Sequence, residues 1–143
     1  MLFRSVPVTQ LKISNDKWFI CYHNAHGLGN VILLESTDAG KTWKEHKIAS
    51  KASMVTGDID KEGNFHLIWN EDSDSKRTVN YAFYSNSKLN RKLAISTTKV
   101  QSAKYFIGAY QHFLIDSEQE KQAFWIDWNV NNGRLNYTSI KTN

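Results

Sequence analysis

The chain has 143 residues, the length of one ordinary domain and enough to bury a core without disulfides or metals. Its 18 Lys and Arg stand against 14 Asp and Glu, a formal charge of +4, and the basic residues are scattered rather than gathered into a stripe, which argues against a nucleic-acid partner. The single cysteine, Cys21, excludes an internal disulfide, no apolar run reaches membrane-spanning length, and the start MLFRSVPVTQLKIS lacks the apolar core of a signal peptide. A soluble chain with no membrane partner is the expectation; the compartment stays open, with the lone cysteine tilting the balance towards the cytoplasm.

Helical periodicity is almost absent, and short runs rich in aromatic and β-branched residues recur between polar turns. In chain order the strands are expected at VTQLKIS (8–14), KWFICYH (17–23), NVILLES (30–36), WKEHKIA (43–49), ASMVTGDI (52–59), NFHLIWN (64–70), TVNYAFYS (78–85), RKLAIST (91–97), KYFIGAYQHFLI (104–115), QAFWIDW (122–128) and RLNYTSI (134–140). Several are apolar on both faces, as strands are when their sheet lies between two other layers.

The runs repeat. Shifting the chain by 56 positions places Ile59 on Ile115, Asp60 on Asp116, Trp69 on Trp125, Asn80 on Asn136 and Tyr81 on Tyr137. Shifts of 46 to 48 place Ile13 on Ile59, Tyr22 on Trp69 and Val31 on Val79. Three units of about four strands, at 9–50, 51–98 and 103–143, give an all-β chain of three propeller blades, whose usual period is about 40 to 50 residues. A two-layer β-sandwich would explain the strands but not the repeat.

Between the third and fourth strands of the first unit stands STDAGKTW (36–43). Asp and Ser side chains hydrogen-bond to turn amides, Gly permits positive φ, and Trp covers the turn with an apolar face, so a rigid hairpin end is expected. Ser36, Asp38, Gly40, Thr42 and Trp43 fill every marked position of Ser-x-Asp-x-Gly-x-Thr-Trp, and the turn resembles the Asp-box of the sialidase-like propellers. The resemblance implies a structural role for Asp38, away from any catalytic face. The second unit departs from the pattern, with Ser87 in place of Asp, Leu89 in place of Gly and Lys92 in place of Trp.

The third unit lacks a fourth strand. The resemblance implies six blades, so this chain would be half of a ring, completed by a second copy. LFRSV (2–6) has the character of the missing strand and would be exchanged between the two copies of a homodimer. A piece of a longer protein is the competing explanation.

Sialidase-like enzymes bind a substrate carboxylate with three arginines and use a tyrosine nucleophile paired with a glutamate, together with an aspartate acid/base. Here Arg4, Arg77, Arg91 and Arg134 occupy no matching motif, and two-fold symmetry would not supply the asymmetric set, so no catalytic residue is assigned. Asp60 and Asp116 recur at equivalent turns and are read as structural. The histidines show no zinc-ligand spacing, and neither metal nor cofactor is expected.

A binding module fits better. Propellers gather the loops between second and third strands around a channel mouth, where aromatic faces beside amides and carboxylates suit sugars. Those loops offer His26, Asn70, Glu71, Asp72, Trp128 and Asn129, with Trp128 as a candidate stacking residue for a glycan or small polar ligand, or else a core or interblade residue. A sialidase-like hydrolase fragment and a protein-interaction scaffold are the alternatives.

Overall fold

A computed structural model describes residues 10–24, 28–73, 76–99, 106–128 and 133–141. The described residues form ten strands and no helix: β1 (Gln10–Ser14), β2 (Lys17–His23), β3 (Gly29–Ser36), β4 (Lys44–Ile59), β5 (Phe65–Ser73), β6 (Lys76–Ser85), β7 (Lys88–Lys99), β8 (Phe106–Ile115), β9 (Lys121–Trp128) and β10 (Gly133–Ile140). The expected segment 2–6 lies outside the described residues. The strands make two antiparallel sheets in simple sequence order, β1 to β7 and β8 to β10.

Most expected strands appear within a residue or two of their sequence boundaries. One expectation is corrected: WKEHKIA and ASMVTGDI are not separate strands but the two ends of β4. Its first part pairs with β3 as far as Ala52, opposite Gly29, and its second pairs with β5 from Ala52, opposite Glu71. A register shift between Ser53 and Thr56 and positive φ at Lys51 (51°) and Met54 (54°) turn the chain there. Bulges of this kind bend a strand sharply without ending its pairing.

The bend folds the seven-stranded sheet back on itself. Phe19, Cys21, Val31 and Leu33 of β2 and β3 share one core with Phe65, Leu67, Trp69, Ala82 and Tyr84 of β5 and β6. A second core joins the opposite face of β5 and β6, through Ile68, Val79 and Tyr81, to Phe113, Ala123, Trp125 and Ile140 of the three-stranded sheet. Alternation along β5 explains the division: Phe65, Leu67 and Trp69 point one way and His66 and Ile68 the other. The middle layer is thus buried on both sides, and each of its large buried side chains contributes about 1.5–3 kcal/mol.

The first strands of the three layers are tied together by polar contacts. Gln10 Oε1 accepts from Gly57 N at 2.8 Å and Thr56 Oγ1 at 3.0 Å. Asp58 reaches both neighbours, with Oδ1 3.1 Å from Lys12 Nζ and Oδ2 accepting from Ile115 N at 3.1 Å.

The turns after β4 and β8 are built alike. Asp60 Oδ1 accepts from Asn64 N at 2.8 Å, and Asp116 Oδ1 accepts from Glu120 N at 3.0 Å. Positive φ falls at Gly63 (79°) in one turn and at Gln119 (65°) in the other. The 56-residue shift therefore superimposes hydrogen bonds and backbone conformation as well as residue types.

Candidate functional site

The antiparallel order brings the ends of β2, β5 and β9 to one end of the layers and the β1–β2, β3–β4, β4–β5, β6–β7 and β8–β9 turns to the other. At the first end β5 finishes in Asn70, Glu71 and Asp72, and each is held by a different neighbour. Arg77, opposite Asp72 in the β5–β6 register, grips its carboxylate through Nε at 2.5 Å and Nη2 at 2.8 Å. Donating these hydrogen bonds to Asp72 holds the guanidinium above its ordinary pKa despite partial burial. Glu71 Oε2 accepts from Lys92 Nζ at 2.6 Å and from the indole of buried Trp69 at 3.1 Å.

Asn70 is 4% exposed and its side-chain oxygen accepts from Gln111 Nε2 of the neighbouring sheet. Two buried polar atoms there, Gln111 Oε1 and Trp125 Nε1, have no hydrogen-bond partner among the described residues. An unpaired buried acceptor and donor are costly unless a water or ligand satisfies them. The sequence reading missed both. Trp125 was visible only as the counterpart of Trp69, whose indole does find a carboxylate.

Of the other predicted ligand residues, Trp128 closes β9 at this same end, in register with Gly133 and Phe106. His26 and Asn129 lie outside the described residues. The arrangement presents fixed hydrogen-bonding groups with both carboxylates already neutralised by cations. It suits a neutral or mildly polar molecule better than a second cation.

At the opposite end Ser36, Asp38, Gly40, Thr42 and Trp43 meet in one turn. Ser36 Oγ donates to Asp38 Oδ1 at 2.8 Å and accepts from Gly40 N at 2.9 Å. Asp38 accepts from Thr42 N at 2.8 Å and Thr42 Oγ1 at 2.6 Å. These bonds, those from Thr42 foremost, hold the Asp38 carboxyl down at about 2. Gly40 has φ 81° and lies between the rings of Trp18 and Trp43, where a Cβ would stand 3.0 Å from Trp18 and 3.6 Å from Trp43. A permanently ionised aspartate saturated by its own turn is a fastening, not an acid or base.

Beside this turn an open cleft of about 320 Å³ is lined by Asn15, Lys17, Thr37, Lys61 and Gly63, among others. It lies at the far end from the loops that the sequence singled out.

A tyrosine and a glutamate do come together, but in a closed place. Tyr84, 1% exposed, donates to Glu35 Oε2 at 3.0 Å, and Ser87 Oγ donates to the same oxygen at 3.0 Å. His46 Nε2 is 2.5 Å from the phenol. Burial and then the Glu35 carboxylate push the Tyr84 phenol well above its ordinary pKa, the reverse of what a nucleophile needs.

A second network, Asp60–His66–Tyr81, is equally enclosed. His66 Nε2 is 2.8 Å from Asp60 Oδ2 and Nδ1 is 2.7 Å from Tyr81 OH. Burial lowers the imidazole pKa more than Asp60 raises it, so the ring is neutral. Its partners then assign the tautomer: Tyr81 O–H donates to Nδ1, and Nε2–H donates to the carboxylate.

Cys21 is fully buried and its thiol is pushed up to about 12 by desolvation, which makes it inert. Among the described residues no three His, Cys, Asp or Glu side chains are grouped to hold a metal, and no helix is long and apolar enough to cross a membrane. Comparison with protein-family models and with curated proteins returns no match for this chain.

Proposed function

We propose that the chain is a non-catalytic binding module made of consecutive propeller blades of the sialidase-like Asp-box kind. It holds a glycan or another small polar ligand at the end of the layers where β5 and β9 finish. The observation that carries this reading is the row Asn70, Glu71, Asp72, in which Gln111, Lys92 and Arg77 each fix one side chain. Preorganised groups cost little to order when a polyhydroxylated ligand arrives, and partly exposed ones remain available to it.

The blade reading is supported by the stacked antiparallel layers, by the matching Asp60 and Asp116 turns, and by the self-saturated turn at Ser36 to Trp43. The absence of catalysis is supported by the sealed Tyr84–Glu35 pair and by Arg77, whose guanidinium is committed to Asp72 rather than to an incoming carboxylate.

The test is a glycan array followed by titration calorimetry on the full chain, with Asp72→Ala, Trp128→Ala and a fluorogenic sialoside alongside. Saturable binding, weakened about tenfold or more by either substitution and without turnover, is the expected result. Hydrolysis of the sialoside would replace this reading with that of a hydrolase. Failure to bind any glycan, together with a co-purifying protein, would replace it with that of an interaction scaffold.

A further inference from the structure

The internal repeat allows one position to be followed through successive layers. Val31 of the first layer is fully buried against the second, and its counterpart Val79 is fully buried against the third. The next counterpart, 56 residues on, is Leu135, which is 69% exposed. Tyr81 and Tyr137 behave the same way, at 0% and 57% exposed. Phe124 packs beside Tyr137 with ring centroids 5.0 Å apart, and Ile126 lies opposite Leu135 in the β9–β10 register. The far face of the third layer is therefore built like the face with which the second layer receives the third.

The other end shows the converse. Ile59 packs on the core between the first and second layers, and its counterpart Ile115 packs on the core between the second and third. Their counterpart in the first layer, Ile13, is 53% exposed, with Leu11 beside it at 48%. Ile20 lies opposite Leu11 on that same face, in the position that Leu67 of β5 uses to meet the first layer. The near face of the first layer is thus built like the faces with which the second and third layers dock onto their predecessors.

We infer that the two end faces are the two halves of one interface, and that the near face of one chain docks on the far face of a second copy. The contact continues an interface already present twice inside the chain, between layers one and two and between layers two and three. It is heterologous, because Ile13 and Leu11 of one copy meet Leu135 and Tyr137 of the other, and a pair related by a two-fold axis makes it twice and leaves no bare face. Exposed apolar patches of this kind on opposite ends of one molecule are association surfaces. The inference does not depend on the ligand reading.

The experiment is sedimentation velocity on the full chain across a range of concentrations, with Ile13→Glu as the near-face variant and Leu135→Glu as the far-face variant. Both side chains are exposed, so each variant keeps its fold, checked by an unchanged far-ultraviolet circular dichroism spectrum. The wild-type chain is expected to sediment as a dimer of the 16.5 kDa protomer, and each variant to weaken association by about tenfold or more. An equimolar mixture of the two variants is expected to associate more tightly than either alone. In a head-to-tail pair the intact far face of one meets the intact near face of the other. A monomeric wild type, association that survives both substitutions, or a mixture no better than its components would overturn the inference; the last result would mean that each face meets its own copy.

Discussion

Tyr84 donates its phenolic hydrogen to Glu35 at 3.0 Å, joining the two sides of the folded sheet through buried side chains 49 positions apart. Glu35 depends on this bond and on Ser87 for neutral donors, with His46 3.3 Å away. Tyr84→Phe keeps the ring against Phe19, whose centroid is 6.2 Å distant, and removes only the hydroxyl. Removing one partner of a buried carboxylate leaves it under-satisfied, so a loss of about 1–3 kcal/mol is expected in urea unfolding. Ultraviolet titration of the native chain should also show one tyrosine that resists ionisation beyond the ordinary phenol range.

The Asp60–His66–Tyr81 network makes the fold sensitive to acid. His66 is held below its ordinary value of 6.5 by burial, so the folded state favours the neutral ring. A depressed pKa contributes stability that is complete above the unfolded value and is lost as pH falls through the folded one. Asp60 follows at lower pH: burial acts to raise its pKa, but the hydrogen bonds from His66 and Asn64 outweigh it and hold the carboxyl below 3.8. The urea midpoint is therefore expected to drop between pH 7.5 and pH 5.5. His66→Gln should flatten that slope while lowering stability at the upper pH.

Gly57 is required for space rather than for its dihedral angles. A Cβ there would lie 2.4 Å from the carbonyl oxygen of His66 and 2.6 Å from the Phe65 ring. The backbone oxygen cannot retreat without breaking the β4–β5 ladder, so Gly57→Ala is expected to cost about 1–3 kcal/mol, and more if β5 shifts. Thermal unfolding of the variant would measure it. An unchanged midpoint would mean that the two strands separate freely at this point.

Much of this architecture was legible in the residues. KWFICYH is β2 to the residue, and the apolar residues on both faces of NFHLIWN are those that β5 divides between two cores. The recurrence of Asp60 and Asp116 marked two turns that use the same hydrogen bonds. The passage through ASKASM was not legible, because Lys51 and Met54 carry positive φ without being residues that favour it. No local signal replaces glycine there; the pairing of β4 with two different strands imposes the conformation. The polar networks were hidden for another reason. Glu35 and Ser87 are 52 positions apart, and His66 and Tyr81 lie on different strands, so only the completed packing brings them together. Asn70, Glu71 and Asp72 were visible as loop-end polar residues, but their cation partners were not, and these change the site from acidic to nearly neutral.

Because β4 serves two layers, the boundary between the first and second repeats runs through the middle of a hydrogen-bonded ladder. The periodic unit of the sequence and the severable unit of the molecule therefore differ. A protease offered the native protein should find no substrate between Lys44 and Ile59, and new chain ends introduced there by circular permutation should abolish folding rather than separate one repeat from the next. The first two repeats would then melt as one body, sharing a wall neither can give up.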